Sequence, residues 1–111
     1  MKKVNVLGTE YTIEERFAAD DEKLKECDGY CDKTSHKIVV TGRESDCELD
    51  DFPAYQRKIM RHEIIHAFLF ESGLHENWRK EQWGHDETTV DWIASQFPKM
   101  VVCFREAGCL E

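Results

Sequence analysis

The chain has 111 residues, 41% of them hydrophobic and 34% charged, with a formal net charge of −8. That length supports one domain with a modest core. The acidic balance argues against a nucleic-acid partner, which would require a basic face, and no apolar run approaches the ~20 residues that span a bilayer.

The start, Met1-Lys2-Lys3-Val4-Asn5-Val6, lacks the apolar stretch of a secretory signal. Cys27, Cys31, Cys47, Cys103 and Cys109 make an odd set of five. Free thiols in a reducing compartment are the expectation, and the cytoplasm is the expected location. Cys27 and Cys31 are spaced one residue wider than a C-x-x-C hook, and no second hook follows. Neither a second zinc site nor a dithiol redox centre is therefore expected.

In chain order, Val4-Asn5-Val6-Leu7 and Tyr11-Thr12-Ile13 alternate around Gly8-Thr9-Glu10 and predict a β-hairpin. The charged stretch from Glu14 to Glu26 reads as a short surface helix or a loop. Asp28-Gly29-Tyr30 carries a turn signal. His36 to Thr41, rich in β-branched residues, is the clearest strand, and the acidic stretch from Gly42 to Asp51 is a loop. A long helix follows. Asp50 or Asp51 can cap it, Pro53 suits its first turn, and Gly73 is placed to end it. Residues 64 to 70 are apolar nearly all round, as in a helix buried in the core. The polar connection from Leu74 to His85, with Trp78 and Trp83, is long enough to expect a functional role. Asp86 can cap a second helix through Val90, Ile93, Ala94 and Phe97, which Pro98 should break or kink. Lys99 to Ala107 then predicts a short amphipathic helix ended by Gly108, although Val101 to Phe104 equally allows a strand.

The chemistry concentrates in the long helix. His62 and His66 are four residues apart, so a helix projects both imidazoles from one face, one turn apart. One zinc ion can take both. Glu63 lies beside them, where it can act on a zinc-bound water without joining the ligands. Chance would produce about 0.03 such H-E-x-x-H patterns in a chain of this composition. Two unpartnered histidines amid Ile64, Ile65, Phe68 and Leu69 would also be costly to bury, and a metal supplies the partner. A catalytic zinc needs a third protein ligand. Glu87, in the first turn of the second helix, is the leading choice. Asp91 then shares its face and can support a ligating imidazole. His85 and His75 compete with Glu87 for the third position.

His62-Glu63-Ile64-Ile65-His66 followed by Glu87-Thr88-Thr89-Val90-Asp91 resembles the gluzincin pattern, in which a second helix carries E-x-x-x-D about twenty residues after H-E-x-x-H. The segment Val90-Asp91-Trp92-Ile93-Ala94 is also similar to the small ImmA/IrrE-like metallopeptidases of phages and mobile elements. Asp91 stands where that group has Asn, and Val90 where it has Ala. The resemblance covers residues 36 to 98. It implies an α+β, minimal zincin-like domain over residues 1 to 111. A small N-terminal, mainly antiparallel β-sheet would pack on the active-site helix and a second helix. It also implies a zinc metalloendopeptidase that acts on a peptide or protein, in some members a regulatory protein. On this reading zinc is held by His62, His66 and Glu87, and Glu63 is the general base toward a zinc-activated water. The strand at Ile38 to Thr41 is expected to line the cleft and to bind an extended peptide by strand addition. The alternative is a non-catalytic, zinc-stabilised protein-interaction module.

Overall fold

The computed structural model describes residues 1–73 and 85–111. Four strands, β1 (Lys2–Val6), β2 (Thr9–Arg16), β3 (Gly29–Asp32) and β4 (Lys37–Thr41), precede two helices, α1 (Phe52–Glu71) and α2 (Glu87–Ala107). The fold is α+β, and the sheet is mixed, in the order β1-β2-β4-β3.

The predicted hairpin forms, with Lys2 opposite Ile13 and Val6 opposite Thr9. Leu7 belongs to its turn rather than to the strand: Leu7 and Gly8 both have positive φ (52° and 94°), the condition for a two-residue turn that matches strand twist. β2 runs on to Arg16, so the charged stretch begins as strand. It continues into a single 3₁₀ turn at Glu22–Lys25, capped by the Asp21 side chain.

β2 pairs with β4 in parallel, and β3 closes antiparallel onto the far side of β4. The sheet is therefore mainly antiparallel, as expected, with a parallel pairing at its centre. Alternation of residue types cannot reveal strand direction, which is fixed here by the crossover from residue 17 to residue 36. Ile38, Val39 and Val40 are all buried, as befits an inner strand with both faces covered. The cleft-lining role expected of this strand passes to β3, the edge strand. Asp28-Gly29-Tyr30 is thus a strand entry and not simply a turn.

Gly29 is there because α1 is close. A Cβ at this position would meet Ile59 Cγ2 at 2.7 Å and the Val39 carbonyl oxygen at 3.0 Å, with Glu63 Cγ at 3.4 Å. The core between sheet and helix is built from Val6, Tyr11, Ile13, Ile38, Val40, Ile59 and Ala67. Burying each of the larger aliphatic side chains contributes about 1.5–3 kcal/mol.

Asp51 caps α1 by accepting from the Ala54 N–H at 3.0 Å, and Pro53 occupies the first turn. At the other end Gly73 is left-handed (φ 84°), as a C′ residue should be. Glu71 accepts from Thr9 Oγ1 and Tyr11 Oη, both at 2.8 Å, and so ties the end of α1 to β2.

Asp86 caps α2, accepting from Thr89 N at 3.2 Å and Thr89 Oγ1 at 2.7 Å. The helix then runs through Pro98 without ending, so one helix stands where two were expected. The reason is local. Proline at position 98 leaves the carbonyl four residues back, that of Ala94, without its helical donor. Arg61 on α1 supplies a replacement, its Nε donating to the Ala94 oxygen at 2.6 Å. Ala94 is fully buried, so this bond prevents an unsatisfied polar group at the α1–α2 contact. Among the described residues, no helix is long and apolar enough to cross a membrane.

Candidate metal centre

His62, Glu63 and His66 lie near the middle of α1, on the stretch that faces β3 on one side and α2 on the other. Capping by Asp86 starts α2 at Glu87, whose carboxylate reaches back to the two histidines. The Nε2 atoms of His62 and His66 are 3.2 Å apart. Glu87 Oε1 lies 2.7 Å from His66 Nε2, and Oε2 lies 3.3 Å from His62 Nε2. The three donor groups fall within 4.8 Å of one another.

The residues fit zinc. Two imidazoles and a carboxylate are a common catalytic set, and zinc bonds of ~2.0–2.1 Å in tetrahedral geometry put ligand atoms about 3.3 Å apart. Two of the three separations are already of that size. Each histidine also has its second nitrogen turned to another group, the arrangement that fixes the tautomer of a ligating imidazole. His62 Nδ1 faces Asp91 Oδ1 at 3.4 Å, and Asp91 is held in turn by Lys58 Nζ at 3.2 Å. His66 Nδ1 meets His85 Nδ1 at 2.7 Å, with the two rings parallel to within 3°.

The sequence candidates thus separate. Glu87 converges with both histidines, and Asp91 stands behind His62. His85, offered as a rival ligand, is buried on the far nitrogen of His66. His75 lies outside the described residues, as do Trp78 and Trp83. Cys27 and Cys31 stay outside the cluster. Burial, and then the Glu63 charge, push the Cys31 thiol up to about 12, so it stays protonated.

Glu63 is only 7% exposed. Burial first, and the nearby Glu87 carboxylate second, raise its carboxyl to about 8. Burial also lowers the proton affinity of His66, against the pull of Glu87, which favours the neutral imidazole that a metal requires.

Comparison with protein families, curated proteins and solved structures finds no match.

Two cavities flank the cluster and share Gly29, Glu63 and Glu87. The wider one, about 410 Å³, opens toward the end of α1 and is bounded by Cys31, Lys33, His66, Phe70 and His85. The narrower one, about 200 Å³, lies toward the start of α1 against Asp28, Tyr55, Lys58, His62 and Asp91. Tyr55 Oη donates to Asp28 there. The two openings place Glu63 at the middle of a cleft along β3. Tyr30, on that strand, also lines the wider cavity and is anchored at its hydroxyl, which donates to Asp21, while Arg16 bridges Asp21 and Glu14. Sequence reasoning missed the cleft wall at Gly29, Tyr30, Cys31 and Lys33. Nothing in Asp28-Gly29 distinguishes a turn glycine from one that lets a strand approach a helix.

Proposed function

We propose that this protein is a zinc-dependent endopeptidase of the H-E-x-x-H type, allied to the gluzincins and to the ImmA/IrrE-like metallopeptidases. The observation that carries the proposal is the convergence of His62, His66 and Glu87 beside a buried Glu63 in an open cleft. His62 and His66 would hold the metal through Nε2, and Glu87 through its carboxylate. When bound, zinc would supply a Lewis acid toward the scissile carbonyl and would bring a water's pKa to about 7.

The chain's own residues do the rest. The outer edge of β3 offers unpaired backbone groups to an extended peptide, which pairs with it as an added strand. The peptide carbonyl then faces the histidines across from Glu63. The buried Glu63 carboxylate binds a proton more tightly than an exposed one, which suits a base that takes the proton of the attacking water. The same carboxyl returns that proton to the departing amine. Asp91 and His85 hold the two imidazoles in orientation. The substrate class is peptide or protein, with a regulatory protein in keeping with the sequence resemblance. All five cysteines are free, which supports a reducing, cytoplasmic setting.

One feature favours the non-catalytic alternative. An apolar groove of about 390 Å³ lies between Ile64, Ile65 and Phe68 of α1 and Ile93 and Phe97 of α2, a surface suited to protein contact. The Glu63→Gln variant separates the two readings. It should keep its zinc and lose peptide hydrolysis by about 10²–10⁴-fold. An unchanged cleavage rate would remove Glu63 from the chemistry, whereas zinc-loaded wild type that cleaves no peptide would leave the interaction module.

A further inference from the structure

The wide side of the cleft contains a cation that the proposed chemistry does not use. Lys33 sits on the turn between β3 and β4, and its Nζ lies 5.4 Å from the centroid of the Phe70 ring. Phe70 in turn packs against His85 with centroids 4.4 Å apart, and His85 against His66. Lys33 thus stands at the outer end of a row of rings that leads to the metal ligands. Asp32, its neighbour, keeps its charge but is turned into the loop, where it accepts from Thr34 N at 2.9 Å and Thr34 Oγ1 at 2.6 Å. Among the described residues Lys33 forms no ion pair.

The two sides of the cleft differ in the cation they offer. On the wide side the Lys33 ammonium lines the cavity and carries no ion pair among the described residues. On the narrow side Lys58 is paired with Asp91, which leaves Asp28 and a negative balance. A peptide carboxylate seated in the wide cavity can therefore pair directly with Lys33, and finds no free cation of that kind beside Lys58.

We propose that Lys33 and the wall of the wide cavity form a subsite for an aspartate or glutamate side chain of the peptide, on one fixed side of the scissile bond. This rests on the peptidase reading above and names its substrate preference. On binding, the Lys33 ammonium leaves the Phe70 ring and pairs with the incoming carboxylate. Phe70 then contacts the aliphatic part of the same side chain. The acid is read by a single cation that reversal of charge can re-educate.

Two measurements test the proposal together. In the first, zinc-loaded wild-type and Lys33→Glu proteins digest a proteome-derived peptide mixture, and mass spectrometry locates the cuts. Acidic residues should be enriched about tenfold at one position beside the wild-type cuts, and Lys33→Glu should exchange that preference for Lys or Arg. In the second, zinc-loaded Glu63→Gln and Glu63→Gln/Lys33→Glu proteins bind fluorescent random-peptide pools that differ only in carrying Glu or Lys, read by anisotropy. The first protein should favour the Glu pool about tenfold and the second should favour the Lys pool. Cuts without acidic preference, or a preference unchanged in Lys33→Glu, would overturn the subsite and leave the peptidase. Selective binding without any cuts would support the subsite and refute the peptidase. Neither cuts nor selectivity would refute both.

Discussion

Glu63 makes a prediction about stability that can be measured without a substrate. In the metal-free protein its carboxyl is lifted from 4.5 to about 8 by burial and by Glu87. At about 1.4 kcal/mol per tenfold change in proton affinity, that corresponds to roughly 5 kcal/mol between neutral and ionised forms. Water entry and side-chain relaxation reduce such values, so on the order of 2–5 kcal/mol is expected. The sign follows from where the proton sits. Below about pH 4 both the folded and the unfolded chain keep it, and nothing is lost. From there to about pH 8 the unfolded chain ionises while the folded chain holds the proton, so stability falls as pH rises. Above that range the cost is complete and constant. Glutamine at position 63 cannot ionise and removes the slope. Urea unfolding of EDTA-treated wild type and Glu63→Gln, followed by circular dichroism from pH 5.5 to 8.5, should show the variant gaining on the wild type as pH rises, by at most ~1.4 kcal/mol per pH unit and levelling off near pH 8. Saturating zinc should shrink the difference, because a dication beside Glu63 favours its ionised form. A difference that stays flat with pH in the metal-free protein would refute the burial argument.

Other expectations concern the groups around the centre. His85→Ala should weaken zinc binding about 10–100-fold, and Asp91→Ala less, because Asp91 is half-exposed, 3.4 Å from His62 and shared with Lys58; competition with a chromogenic chelator measures both, and equal or absent effects would contradict these roles. Arg61→Ala should cost about 1–3 kcal/mol by stranding the buried Ala94 carbonyl. Most of that cost should vanish when Pro98→Ala restores a helical N–H, so chemical denaturation of the four proteins of this cycle should reveal strong coupling, and additive effects would refute it. Gly29→Ala should destabilise the protein by about 1–3 kcal/mol and slow any hydrolysis, since its methyl must displace Ile59 or β3; an unaltered denaturation midpoint would show that the strand gives way freely.

The parts of this protein that local chemistry determines were readable in the sequence. Asp51, Asp86 and Gly73 mark helix ends because each satisfies or terminates a specific backbone need, and all three do so in the structure. His62, Glu63 and His66 could be grouped because four residues make about one helical turn. Glu87 and Asp91 could be placed opposite them because a cap fixes where α2 begins. What depended on distant partners was not readable. Pro98 breaks a helix unless something satisfies the freed carbonyl, and that something is Arg61, 37 residues earlier by number and on another helix. Gly29 resembles any turn glycine until Ile59 is seen against it. The parallel pairing of β2 with β4, and the resulting edge position of β3, follow from the path of the crossover rather than from the residues of any one strand.

The metal content of the purified protein tests the central claim most directly. Elemental analysis after dialysis against buffer containing a trace of zinc should find one zinc per chain in the wild type and in His85→Ala, and none in Glu87→Ala, with all three proteins folded by circular dichroism. A wild-type protein without zinc, or a Glu87→Ala variant that keeps it as tightly as the wild type, would contradict the site formed by His62, His66 and Glu87.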